Sequence, residues 1–149
     1  MIKIYRLMSF GLLPIRIIAG IGFIINGLPK LANITGTEAE FASKIGLPAA
    51  LALPVGLLEV IGGIALIIGV LTRVASILFI ILMIGATITV QISKGFLGGY
   101  EINLLYLSIA VTLLVTGPGR PSIEWNVLKR ELFPKGKEMV ATAKASEEQ

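Results

Sequence analysis

The chain has 149 residues, 55% of them apolar and 15% charged, with a formal net charge of +4 and a mean hydropathy of +0.90. That length suits one domain, and hydropathy this high places the domain in a bilayer rather than in water. The absence of Cys, His and Asp excludes disulfides, thiolate metal sites, persulfides and imidazole-ligated haem or copper within the chain, and no motif or basic-aromatic stripe points to nucleic acid.

Four apolar runs, 7–28, 51–71, 74–92 and 97–117, reach the roughly 20 residues that a helix needs to cross the roughly 30 Å hydrocarbon layer. The reading is an all-α integral membrane four-helix bundle, multi-pass in the plasma membrane. The first run follows Lys3 and Arg6 as a signal peptide would, but it is longer than an h-region and contains Arg16, so it is read as a retained helix. Four spans bring both termini to one side. That side would hold Lys3, Arg6, Arg73, Arg120, Lys129, Arg130, Lys135, Lys137 and Lys144, against Lys30, Lys44 and Lys94 opposite, so both termini are predicted to be cytoplasmic.

In the first helix Arg16, Gly20, Phe23, Gly27 and Lys30 recur at helical spacing and share one face. Such a face either admits a neighbouring helix closely or lines a cavity between charges. Pro14 removes a helical donor just before Arg16. After Pro29, Thr37 and Glu40 fit a capping box, and Gly46 and Pro48 a stop, which predicts a short outer helix over 38–45.

The second run carries one carboxylate, Glu59, flanked along one meridian by Gly56, Gly62 and Gly63. A charge at that depth calls for a partner. Pairing the first two spans antiparallel puts Arg16 within roughly 3 Å of Glu59 along the normal, so an Arg16–Glu59 ion pair is expected, serving either helix register or chemistry. The third run is apolar until Thr87 and Gln91. The stretch 94–103 then brings Tyr100, Glu101 and Asn103 to the outer boundary, level with Asn26, Lys30 and Gln91; these six are the expected outer vestibule. The fourth run carries Tyr106 and Ser108 and stops at Gly117-Pro118-Gly119. Beyond it, Trp125, Leu128 and Leu132 form one side of a basic segment, read as an interfacial helix followed by a mobile tail. The division is thus a transmembrane domain over 1–121 and a cytoplasmic interfacial helix and tail over 122–149.

Taken in order, Arg16, Gly27-Leu28-Pro29-Lys30, the stretch from Leu58-Glu59 through Gly62-Gly63 to Leu66, Gly69, Thr72-Arg73, Gly99-Tyr100-Glu101 and Gly117-Pro118-Gly119-Arg120-Pro121-Ser122 resemble the DoxX family of small four-helix membrane proteins. The resemblance implies association with quinone-linked oxidoreductases, including membrane subunits of archaeal thiosulfate:quinone oxidoreductase and of terminal-oxidase or oxidative-stress complexes. It carries over no catalytic residues.

Two functions compete. In one, the chain is a membrane subunit of a quinone-linked oxidoreductase, with Arg16, Glu59, Gly62, Gly63 and Tyr106 forming a flat slot with hydrogen-bond donors and a proton source. In the other it is a non-catalytic assembly subunit whose charges fix helix register. No cofactor is expected within the chain and a quinone is the candidate ligand; the partners are the bilayer and other membrane subunits or further copies of the chain. Cysteine labelling checks the topology: Lys44→Cys is expected to react from outside and Lys144→Cys only from the cytoplasmic side, and the reverse pattern would sink the orientation.

Overall fold

A computed structural model describes residues 2–119 and residue 122, with residues 2–9 described in backbone only. The expected interfacial helix and tail lie outside the described residues, apart from Ser122. Helix α1 spans Ile2–Ala32, α2 Ile34–Glu40, α3 Ala52–Ile68, α4 Thr72–Ala86 and α5 Glu101–Thr116, and no strand occurs among the described residues. Four helical stretches, Phe10–Ala32, Ala49–Ile68, Thr72–Lys94 and Phe96–Thr116, are long and apolar enough to span. The chain is a multi-pass, all-α membrane bundle, as its hydropathy requires.

Helix α1 runs on through Pro29 to Ala32, one turn beyond the predicted end. The outer helix also starts earlier than predicted. Asn33, not Thr37, is its N-cap, accepting from the Gly36 amide at 3.2 Å. Thr37 lies inside the helix and donates to the Asn33 and Lys30 carbonyls at 3.0 and 3.2 Å, so its hydroxyl cannot serve the capping box. The segment Phe41–Ile45 widens into i+5 hydrogen bonding and closes on Gly46 at φ 74°, the stop that the sequence indicated.

Helices α1 and α3 run antiparallel in intimate contact. A Cβ on Gly20 would meet the Gly63 carbonyl oxygen at 2.6 Å, and one on Gly63 would meet the Gly20 oxygen at the same distance. A turn or two farther along, a Cβ on Gly27 would come within 3.0 Å of the Gly56 oxygen. Lipid offers no hydrophobic drive between helices, so dispersion at such close backbone approach is what holds them together. The α4–α5 pair packs against this one through an apolar core of Ala19, Phe23, Leu66, Ala75, Phe79, Met83, Ala110 and Leu113. Large apolar side chains such as Ile18, Ile61, Ile81 and Leu105 are exposed on the outside, where the acyl chains lie.

The turn between α3 and α4 is tight because Gly69 and Leu71 both take left-handed backbone, at φ 70° and 49°. The α4–α5 connection is less regular than expected. Helix α4 widens at Thr87–Gln91, and Leu97, Gly98 and Gly99 leave helical geometry, with Gly98 at φ 73°; α5 therefore begins at Glu101, not at 97.

The packing at Gly63 leaves no room for a side chain, whereas the exposed Gly85 has nothing within 4 Å of its would-be Cβ. Gly63→Leu is expected to lower unfolding stability in detergent by at least the ~1–3 kcal/mol typical of overpacking. Gly85→Leu is expected to leave it within ~0.5 kcal/mol, and equal melting of the two variants would contradict the glycine-mediated contact.

Candidate functional site

Arg16 and Glu59 do not pair with each other. The Arg16 side chain, 1% exposed, turns to the end of α3: Nε donates to the Leu66 carbonyl and Nη2 to the Ile67 carbonyl, both at 2.9 Å. Nη1 donates to the Pro118 carbonyl at 2.5 Å. The last carbonyls of a helix have no intrahelical donors and carry the negative end of its dipole, so a guanidinium there satisfies both. Gly69 makes the fit. A Cβ on it would sit 2.5 Å from Arg16 Nη2, so the residue that closes α3 must lack a side chain for steric as well as conformational reasons.

Glu59, 4% exposed, is held instead by Lys30, whose Nζ donates to Oε1 at 2.6 Å and Oε2 at 2.5 Å. The expected Arg16–Glu59 pair fails on register. Arg16 contacts Leu66 and Ile67, and Glu59 lies seven residues before Leu66, about 10 Å along α3. Lys30 reaches Glu59 because helical side chains lean toward their own N-terminus and a lysine stem packs along apolar surface while its head seeks a charge. The lysine side chain remains 30% exposed against 5% for the glutamate, so the pair is buried on one side and open at the end of the bundle.

The glycine face predicted as a flat slot is occupied. Gly62 faces the Phe79 ring, with Cζ 2.7 Å from a would-be Cβ, and Gly63 faces the Gly20 carbonyl and Ile24. Phe79 stacks on Phe23 with centroids 3.6 Å apart and planes 9° from parallel, and Tyr106 tilts against Phe23 at 4.9 Å. The two glycines therefore serve packing, and an aromatic layer built from Phe23, Phe79 and Tyr106 fills the middle of the bundle.

The six vestibule residues do not come together. Lys30 joins Glu59. Asn103, buried, donates from Nδ2 to Thr87 Oγ1 at 3.2 Å, and Thr87 in turn donates to the Met83 carbonyl at 2.7 Å. Glu101 accepts from the Gly98 amide at 3.0 Å, which secures the start of α5. Tyr100 lies edge-on to Phe96 at 5.4 Å. Gln91 Oε1 is buried without a partner among the described residues, and Asn26 bonds back to Gly22 at 2.8 Å. None of the six hydrogen-bonds to another. No group of three or more potential metal ligands occurs among the described residues.

A bundle of four spanning helices, with the Lys30–Glu59 ion pair near one end and a capped helix terminus at the other, defines the class: a small multi-pass membrane protein. The particular family follows from comparison, for the DoxX family model matches residues 11–92, and the chain belongs to that family. It is 38% identical over 109 residues to a Bacillus subtilis (strain 168) protein named "Putative oxidoreductase CatD", covering 73% of this chain and 81% of that one. It is 31% identical over 131 residues to an uncharacterized membrane protein of Mycobacterium tuberculosis, covering 78% of this chain and 80% of the relative. No solved structure matches significantly.

The pairing of Lys30 with Glu59 is tested by a double-mutant cycle. Lys30→Met alone strands a buried carboxylate and is expected to destabilise by ~1–3 kcal/mol, discounted for the open lysine side. Lys30→Met with Glu59→Gln is expected to recover part of that loss. A double variant as unstable as the sum of the single changes would show that the two groups do not interact.

Proposed function

We propose that this protein is an integral membrane subunit of a quinone-linked oxidoreductase complex. The observation that carries the reading is the Lys30–Glu59 pair, a carboxylate held inside a span by an ammonium that is partly open at the end of the bundle. Quinone reduction consumes protons as well as electrons, and a carboxylate at the margin of the hydrocarbon is the kind of group that relays them. The name of the Bacillus subtilis relative supports a redox setting and does not extend to the acceptor. Electrons would come from a non-covalent flavin or a partner subunit, since the sequence has neither Cys nor His for a metal relay. Arg16, Gly62 and Gly63 stand outside the chemistry in this reading, because capping and packing account for them.

The same assignments favour a second reading, a non-catalytic assembly subunit. Purification from native membranes in mild detergent separates the two. A quinone-reducing complex is expected to co-purify, and Glu59→Gln is expected to lower quinol formation about 10²-fold, the scale of one lost acid–base group, with the complex still assembled. An assembled complex with an unchanged rate would remove Glu59 from the chemistry and leave the assembly role; a complex that reduces no quinone would overturn the proposal.

A further inference from the structure

Two polar side chains converge on Gly22, one residue from the midpoint of the Phe10–Ala32 span. The Tyr106 hydroxyl of α5 rests so close to Gly22 that a Cβ there would overlap it. It makes no hydrogen bond among the described residues. Asn26, one turn farther along α1 and exposed, donates from Nδ2 to the Gly22 carbonyl at 2.8 Å, while its Oδ1 accepts nothing from a described residue. The hydroxyl lies where α5 meets α1, and the amide lies one turn away on the exposed surface of α1.

The ordinary role of a membrane tyrosine does not fit here. Aromatic belts place the phenol at the interface, with its hydroxyl among headgroups, whereas this hydroxyl points across the seam at mid-span. Hydrocarbon supplies neither donors nor acceptors, so a hydroxyl and an amide oxygen left open there are costly without a visitor that completes them. The ring cannot turn away freely, because it packs on Phe23 at 4.9 Å and Phe23 is pinned by Phe79. The donor is thus held in place.

We propose that the seam between α1 and α5 is a binding site, entered sideways from the bilayer, for a hydrophobic molecule bearing a carbonyl oxygen, with Tyr106 Oη donating to that oxygen and Asn26 lining the entrance. Gly22 is the residue that lets the hydroxyl lie against α1, since any side chain there would displace it. Two sources supply this chemistry: a lipid-soluble quinone, or the acyl ester of a bilayer lipid. Ester carbonyls belong to the edge of the hydrocarbon, while Asn26 lies six residues inside the end of α1, about 9 Å deep, which favours the quinone. Only that choice rests on the function proposed above.

The test uses the isolated chain in nanodiscs, with decylubiquinone as the probe, so that its outcome is independent of whether an enzyme complex co-purifies. The parent is expected to bind the probe saturably in discs of ether-linked phospholipid, which lack ester carbonyls. Tyr106→Phe keeps the ring on Phe23 and is expected to bind about tenfold more weakly, the worth of one ordinary hydrogen bond; Asn26→Leu is expected to weaken binding further in the double variant. Equal binding in ester-linked discs identifies the quinone as the occupant. Suppressed probe binding there, together with phospholipid that the parent retains through delipidation and Tyr106→Phe releases, identifies the ester instead. Parent and Tyr106→Phe that bind the probe alike and retain the same phospholipid, both being fully helical by circular dichroism, would overturn the site.

Discussion

The close approach of α1 and α3 sets nearly everything else. Each helix carries two glycines seven residues apart, and the antiparallel crossing brings Gly20 to Gly63 and Gly27 to Gly56. Once these contacts are made, the sliding register of the two helices is fixed to within a residue. Arg16 then falls opposite the last turn of α3, and Lys30 falls where its stem can lean back to Glu59. The pairing of charges is a result of where the backbones can touch, and the charges add selectivity to a register that dispersion has already chosen.

The number and type of the spans were legible in the sequence because hydropathy over some 20 residues is a strong signal. The partner of each charge was not, because aligning spans by their ends leaves an error of several residues, and on a helix that is enough to exchange partners. The information was nevertheless present: the matching seven-residue intervals 20 to 27 and 56 to 63 select one antiparallel register, in which Arg16 cannot meet Glu59. The start of α2 was missed for another reason. Asn33 and Thr37 are both good caps, and the choice between them depends on whether α1 continues past Pro29, which local pattern does not decide. Of the expected slot, the sequence showed the small residues but not the Phe79 ring that fills them.

The bundle thus has two polar ends separated by an aromatic floor. At one end Arg16 is taken up by backbone carbonyls and holds helix termini together; at the other, Lys30 engages Glu59 and Asn103 engages Thr87, with the lysine partly open. Phe23 and Phe79 stand between them, stacked nearly parallel.

Three carbonyls that accept from Arg16 lie 50, 51 and 102 residues farther along the chain. During synthesis the arginine therefore enters the membrane region long before any of the three carbonyls exists. Two become available when α3 is complete, and the last only after α5 has turned at Pro118. Until then the guanidinium must stay near headgroups or in the aqueous interior of the insertion machinery, so α1 cannot settle to its final depth as a solitary helix. The hydrogen bonding of α1 is thus completed by the chain that follows α5, so assembly of the bundle, and not insertion of α1 by itself, decides where Arg16 comes to rest.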